Sequence, residues 1–224
     1  MTAVAEAVIE HLVAQRACRR YTAEPVPDAD LVAMLGAATH APSAENRQPW
    51  VFVVVQDRAT RGAIAELTQR LWEAGGRAHA ERNLTPRFFA AVDEFMGGGY
   101  GGAPVLVVVA GDSRGGIPFP VLAASVFPAV QNLLLAAAAR GYGSALTTLA
   151  TAEPLTLAAA VGLPEGVRPL AVVPLGRPAT PLGPPRRRPV EEVAHRDRYG
   201  TPFPAVTYEG SGDAATPRPA PPPA

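Results

Sequence analysis

The stretch APSAENRQPWVFVVV, residues 41–55, joins a polar loop to an apolar run and is the most informative segment for the fold. Two prolines, Pro42 and Pro49, bound and stiffen the loop, so its side chains are preorganised for binding. Ser43, Asn46 and Gln48 supply neutral hydrogen-bonding groups within it. The run 51–55 predicts a strand that is buried on both faces, because it is uninterrupted by polar residues.

Outward from this stretch, segments with helical spacing alternate with short apolar runs. The other predicted strands cover residues 105–110 and 169–175. Few strands, separated by helices and without two-residue hairpin signals, favour an α+β or α/β layered fold with one central sheet. Helices are predicted at residues 3–15, 29–39, 60–72, 86–95, 121–140 with an interruption at Pro128, 154–161, and around 191–195. We expect residues 1–204 to form a single domain and the Pro- and Ala-rich residues 205–224 to form a disordered tail.

The composition excludes several kinds of chemistry, because all twenty basic residues are arginine and the chain has no lysine. A Schiff-base lysine cannot exist here, and neither can the lysine of a Walker phosphate loop. Any phosphate held through a side-chain ion pair must therefore be held by arginine. Zero net charge argues against a nucleic-acid or acidic-membrane partner.

Targeting and metal signals are also missing from the sequence pattern. The first sixteen residues lack the basic start and apolar core of a signal peptide, and no apolar run reaches the ~18–20 residues of a membrane span. One cysteine, Cys18, permits no intrachain disulfide and no thiolate cluster, so we expect a cytoplasmic protein. The four histidines are scattered and form no zinc-binding spacing, which predicts no metal.

Two motifs carry little weight in this context. Gly97, Gly99 and Gly102 satisfy the spacing of a dinucleotide-binding turn, but they precede a strand, so we interpret them as a flexible turn or a mobile cover over a pocket. Cys18 lies among Arg16, Arg19 and Arg20. Positive charge beside a thiol lowers its pKa, so a nucleophilic role for Cys18 is one interpretation. No G-x-S-x-G elbow is present to support a hydrolase.

The arginines form the more informative pattern. Arg16 and Arg20 lie four residues apart, so we expect them to project on one face at the C-terminus of the first helix. The run Arg186–Arg188 supplies a second cationic cluster far along the chain. Each cluster alone is compatible with a solvated surface charge. Together with the polar loop at 41–49, they predict a site for a phosphate-bearing ligand with a polar chain.

These segments are collinear with one family. R-x-C-R-R-Y (16–21), APSAENRQPWVFVVV (41–55), GAPVLVVVA (102–110), FPAVQNLLLAAAARGYGSALTTL (127–149) and VVPLGRPATPLGPPRRRPVEEVAHRDRYG (172–200) together resemble the FMN-dependent nitroreductase family. The resemblance implies an α+β fold with a central, mostly antiparallel sheet between helices. It also implies an intertwined homodimer with two FMN sites at the subunit interface. Members pass hydride from NADH or NADPH to nitroaromatics, quinones or related acceptors by ping-pong kinetics.

The resemblance also assigns roles to individual positions. Arg16 and Arg187 match arginines that bind the FMN phosphate, with Arg186 or Arg188 assisting. Arg20 matches the cation beside the flavin pyrimidine edge, where positive charge favours the reduced state. Thr148 and Leu149 end the stretch whose backbone N–H groups face flavin N5 and O4. The remaining cofactor positions are Pro42, Ser43, Ala44, Asn46 and Gln48 from the partner subunit's loop, together with Leu146 and Thr147.

Some positions and alternatives stay open. Cys18 stands where the family commonly has a phosphate-binding serine, and a thiol is a weaker donor. Residues 73–102, called the cover segment below, are expected to cover the active site, with Phe88, Phe89, Tyr100 and Trp72 as candidates to stack on a planar acceptor. No side chain is expected to act as acid or base in hydride transfer. Alternatives are a biosynthetic flavin dehydrogenase or flavin-fragmenting branch of the fold, and a module that sequesters FMN without turnover.

Overall fold

A four-stranded antiparallel sheet lies at the centre of the computed structural model, which describes residues 3–203. Its strands are β1 (Trp50–Val55), β2 (Val105–Asp112), β3 (Gly143–Ser144) and β4 (Val167–Gly176), in the order β1-β2-β4-β3. The register pairs Val108 of β2 with Val53 of β1 and with Val172 of β4. The predicted α+β fold with a mostly antiparallel sheet is confirmed, and the middle strands are almost fully buried.

The helices of the described residues are, in chain order, α1 (Ala3–Ala14), α2 (Asp28–Ala38), α3 (Arg58–Leu71), α4 (Arg77–Asn83), α5 (Pro86–Gly97), α6 (Phe119–Ala139) and α7 (Pro154–Ala160). Of these, α2 and α6 pack on one face of the sheet, and α3 and α7 pack on the other. Alternate residues of β2 divide between the two faces, as the two-residue period of a strand requires. Val107 and Val109 pack in a core with residues of α2 and α6. Leu106 and Val108 pack in a second core with residues of α3 and α7.

Two sequence predictions about apolar segments are wrong. The run 51–55 is not buried on both faces, because β1 lies at the edge of the sheet and its residues before Val55 are only partly covered. Helix α6 is not interrupted at Pro128 but runs through it. It is consequently long and apolar enough, by length and composition, to cross a membrane, with 44% of that window buried inside the protein. Residues such as Val126 and Val130 are fully buried in the core, where such a helix commonly packs.

The chain divides into two compact units. The larger unit, Arg16–Leu182, contains the sheet and the helices after α1. Within the described residues, the smaller unit comprises 3–15 and 183–203. It holds α1 and, in place of the predicted helix around 191–195, a single 3-10 turn at Val190–Glu192. The predicted tail at 205–224 lies outside the described residues.

Candidate functional site

The prediction that Arg16 and Arg20 share one face of a helix end is wrong, because α1 ends at Ala14 and residues 16–21 are not helical. The segment Arg16–Tyr21 is instead fixed against the β3 edge of the sheet. The Cys18 N–H donates to the carbonyl of Ser144 at 2.9 Å, and the Arg20 carbonyl accepts from the Ala179 N–H at 3.0 Å. The Tyr21 hydroxyl is buried and donates to the carbonyls of Cys18 at 2.8 Å and of Pro174 at 3.2 Å. The backbone that carries Arg16, Arg19 and Arg20 is therefore held from several directions.

Cys18 does not present its thiol to a ligand. Its side chain is 1% exposed and donates to the Arg20 carbonyl at 3.2 Å. A Cβ atom added at Gly143 would lie 2.6 Å from Cys18 Cβ and Sγ, so glycine is what allows this close approach. Burial raises the pKa of the Cys18 thiol above its usual value, with smaller opposing effects from hydrogen bonds. The predictions of a lowered pKa and of a thiol contact to phosphate are both contradicted by this packing.

Positive charge is concentrated along the same segment. Burial, followed by the like charge of Arg16, lowers the pKa of Arg19 below its usual value. The Arg19 guanidinium lies over the ring of Phe88, 4.9 Å from its centroid. Arg20 forms an ion pair with Glu94 of α5. Three arginines lie within five residues, and this concentration of positive charge makes this end of the sheet a candidate site for an anion.

The loop before β1 has an unusual backbone. Glu45, Asn46 and Gln48 all have positive φ angles, of 53°, 53° and 50°, which cost a non-glycine residue about 1–2 kcal/mol each. The Ser43 hydroxyl accepts from the Gln48 N–H at 3.0 Å, and Gln48 Nε2 donates to Asn46 Oδ1 at 3.1 Å. Strained, exposed polar residues held by internal hydrogen bonds are typical of ligand-binding loops.

The loop is also tied to α6 and β2. Its Ala44 N–H donates to Ser125 Oγ at 3.2 Å, and the Pro49 carbonyl accepts from the Asp112 N–H at 2.7 Å. Pro42 is exposed at the start of the loop. The loop is therefore anchored where β2 ends.

The stretch 146–149 runs antiparallel to β4. Thr147 exchanges both backbone hydrogen bonds with Val172, at 3.0 and 2.9 Å, while its neighbours Leu146 and Thr148 are exposed. A 3-10 turn begins at Leu149, with Thr148 preceding it as its N-cap residue. The first N–H groups of such a turn have no partner within it. This geometry leaves backbone donors near Leu149 available to an acceptor atom.

A single copy of the larger unit does not bring the two predicted halves of the site together. The arginine segment lies beside β3, which pairs with the end of β4 opposite Val105. The polar loop lies at the other end of β2, where Trp50 pairs with Gly111. The span from Val105 to Gly111 is about 20 Å at the rise of an antiparallel strand.

The cover segment is fixed mainly by Asp93. The indole N–H of Trp72 donates to Asp93 Oδ1 at 2.8 Å, and Arg77 Nε donates to the same oxygen at 3.0 Å. The Arg77 guanidinium lowers the pKa of Asp93 and the Trp72 hydrogen bond lowers it further. Arg77 also lies over the ring of Phe89, 5.3 Å from its centroid. Asp93 therefore ties α5 to Trp72 and Arg77.

The prediction that four aromatic residues are available to stack on an acceptor is wrong for two of them. Tyr100 is 0% exposed, with its hydroxyl 2.6 Å from Thr68 Oγ1 and its ring against Phe95. Trp72 is likewise buried. Tyr100 belongs to the interior because the glycines around it form a tight turn rather than a mobile cover: a Cβ at Gly101 would collide with the Arg19 carbonyl. Phe88, 41% exposed, and the half-buried Phe89 stay at the surface.

The late arginines lie in the smaller unit. Arg186 and Arg187 are exposed, and Arg187 Nη1 donates to the Arg186 carbonyl at 3.0 Å. Within residues 3–203, no group of three or more His, Cys, Asp or Glu side chains is placed to hold a metal ion. The residue that sequence reasoning missed is Glu94, which is separated from Arg20 by 74 positions and carries no local motif.

Comparison with known families decides the assignment. The model of the nitroreductase family matches residues 12–177. The chain belongs to the nitroreductase family. The match includes Arg16, the polar loop, the sheet and the stretch 146–149, so the family's oxidoreductase chemistry is the frame for interpreting the site.

Similar proteins include enzymes with different names. A protein named NADH dehydrogenase from Thermus thermophilus is 33% identical over 193 residues, covering 80% of this chain and 90% of its own. An iodotyrosine deiodinase from Thermotoga neapolitana is 30% identical over 173 residues, covering 75% and 86%. A nitroreductase from Desulfovibrio desulfuricans, solved in complex with FMN, superposes with a TM-score of 0.67 at 27% identity, covering 89% and 99%.

Proposed function

We propose that the protein is an FMN-dependent oxidoreductase that takes hydride from NADH or NADPH and passes it to a small-molecule acceptor by a ping-pong mechanism. Nitroaromatics and quinones are the proposed acceptors. The observation that carries this function is the concentration of Arg16, Arg19 and Arg20 beside β3, where an anionic cofactor would relieve the repulsion between the arginines. The proposed compartment is the cytoplasm.

The residues present fit FMN. Arg16 would hold the phosphate, because a guanidinium keeps its charge and binds phosphate through two hydrogen bonds. The roles of Arg186 and Arg187 as phosphate ligands rest on the family resemblance alone. Arg20 would lie at the pyrimidine edge, and the N–H groups near Leu149 would face the ring on its other polar side. FMN, when bound, supplies the hydride chemistry. The protein's own side chains bind and orient, and none of them needs to move a proton.

We further propose that the protein is a homodimer with each site built from both subunits. The polar loop and the arginine segment of one chain lie at opposite ends of β2, which spans about 20 Å from Val105 to Gly111 at the rise of an antiparallel strand, and this separation supports a site that a partner's loop completes. Helix α1 supports this proposal, because none of its residues is buried and Val4, Val8 and Leu12 form an exposed apolar face. Edge strand β1 is also only half covered.

A complementation experiment tests both proposals together. Arg16→Glu reverses a charge at the proposed phosphate site, and Asn46→Val places a β-branched residue at a positive φ. Each variant alone should lose most bound FMN, measured by flavin absorbance per chain. When the two are unfolded and refolded together, heterodimers should regain one intact site, so about a quarter of all sites should bind FMN if a two-fold dimer forms at random.

The controls separate the two proposals. Wild-type protein should be yellow, with about one FMN per chain, as one site per subunit of a symmetric dimer requires. A wild-type protein that takes up no FMN rejects the function. Variants that bind FMN when separate, or a mixture that recovers no flavin, reject the shared site while leaving the function in place.

A second candidate function is reductive dehalogenation of an aromatic substrate, which is favoured by the relative named iodotyrosine deiodinase. Anaerobic mixing distinguishes the alternatives. If NADH or NADPH reduces the bound flavin rapidly and a quinone or nitroaromatic reoxidises it, the main proposal stands. If NAD(P)H reduces the flavin and iodotyrosine reoxidises it, while quinones and nitroaromatics do not, the result favours dehalogenation. A flavin that NAD(P)H does not reduce favours a sequestering module or a biosynthetic branch.

A further inference from the structure

The ion pair between Arg20 and Glu94 joins the arginine segment to the cover segment. Arg20 Nη2 donates to Glu94 Oε2, and the two side chains are 62% and 55% exposed. Exposed ion pairs of this kind contribute little net stability, because water and salt screen them. Arg20 can therefore exchange its carboxylate partner for a ligand at small cost.

The helix that carries Glu94 is held in position independently of Arg20. Its neighbour Asp93 binds both Trp72 and Arg77, and Phe95 is buried against Tyr100. Phe88 of the same helix packs under the Arg19 guanidinium. The backbone at position 94 is therefore held beside the arginine segment by contacts that do not involve Arg20.

We propose that Glu94 is a positioning residue, which directs the Arg20 guanidinium and offsets its charge at the pyrimidine edge of FMN. This inference rests on the proposed function. Positive charge at that edge favours the reduced flavin, since reduction adds electron density there. By competing for Arg20, Glu94 keeps the reduction potential of the bound cofactor lower than Arg20 alone would set it.

The test is Glu94→Gln in the full-length protein, with Glu73→Gln as the matched control. Glu73 is an exposed glutamate of the same segment, so the control makes the same change in net charge. Glu94→Gln should bind reduced FMN about threefold more tightly relative to oxidised FMN, as expected for one charge at the protein surface. For a two-electron couple, threefold corresponds to a positive shift of about 14 mV in midpoint potential. Glu73→Gln should not shift it.

Two further measurements separate action through Arg20 from other causes. In an Arg20→Gln background, Glu94→Gln should lose more than about half of its effect, because coupled residues are not additive. Riboflavin, which lacks the phosphate, should show the same relative tightening in Glu94→Gln as FMN. Any of three results overturns the inference and leaves the proposed function in place. These are an equal shift in both backgrounds, a shift seen with FMN but not with riboflavin, and an unchanged potential in a Glu94→Gln variant that still binds FMN. Wild-type protein without FMN overturns both.

Discussion

At the scale of single residues, Cys18 shows how neighbours in sequence differ from neighbours in space. Three arginines flank it along the chain, which suggests a stabilised thiolate. In the structure the thiol faces the core beside Gly143 and donates to a carbonyl, while the arginine side chains lead elsewhere. Desolvation therefore outweighs the nearby charges, and the pKa rises.

The expected result is that Ellman's reagent at pH 8 labels native Cys18 at least ~100-fold more slowly than it labels the urea-unfolded chain, because burial limits both access and thiolate formation. The unfolded protein, with its one cysteine, is the control for stoichiometry. Since the folded-state pKa is raised, the thiol's contribution to stability is complete below the unfolded pKa of about 8.5 and is lost as pH rises from there through the folded-state pKa. Rapid stoichiometric labelling of the native protein would contradict the buried placement.

Local motifs also explain which site residues can be predicted from the sequence and which cannot. Arg16, the polar loop and Leu149 belong to contiguous patterns, so their segments are recognisable from the sequence. Glu94 has no such pattern, since its role depends on how α5 packs against a segment 74 positions away. Long-range ion pairs of exposed residues leave no periodic signal in a single sequence.

At the scale of elements, tertiary packing overrode local propensity in helix α6 and in the glycine-rich turn of the cover segment. Pro128 cannot donate a backbone hydrogen bond, yet α6 continues because its buried face packs along the sheet and α2. The glycines of the cover segment, predicted to be mobile, form a turn with positive φ at Gly99, Gly101 and Gly102. The sheet and most helix positions follow from apolar periodicity, whereas edge positions do not, because pairing order is a property of the whole sheet.

Asp93 is predicted to hold α5 in place. Asp93→Ala removes the acceptor of the buried Trp72 N–H and the partner of Arg77, which should cost about 1–3 kcal/mol of stability. Hydrogen exchange should accelerate over residues 86–97 and stay unchanged in β2. Arg87→Ala, an exposed change on the same helix, is the control.

Acid should loosen α5 in the wild type as well. The pKa of Asp93 is lowered, so its stabilisation is present above the unfolded value of about 3.9 and is lost as pH falls through the folded value. Asp93→Ala should show no such acid-dependent increase in exchange over 86–97. Equal exchange in Asp93→Ala and Arg87→Ala at neutral pH would mean that α5 is held by its apolar contacts alone.

At the scale of the whole molecule, the proposed dimer accounts for two features of the single chain. The polar loop and the arginine segment lie at opposite ends of β2, and α1 presents apolar residues that are exposed in one chain. An exposed apolar face of this kind is typical of a protein–protein interface. In the proposed dimer, the strained loop is preorganised for a ligand that is bound largely by the other subunit.

Helix α1 supplies the last prediction, because its two faces offer a matched pair of changes. Val8→Arg places a charge in the middle of the exposed apolar face, whereas Glu10→Arg makes a larger charge change two positions away on the opposite side of the helix. By light scattering, Val8→Arg should shift the protein from dimer to monomer, since burying an unpaired charge at an interface is costly. FMN should be lost in proportion to dissociation, because the proposed site is built from both subunits. Glu10→Arg should keep both the dimer and the flavin. A Val8→Arg monomer that retains its FMN would show that one chain completes the site by itself.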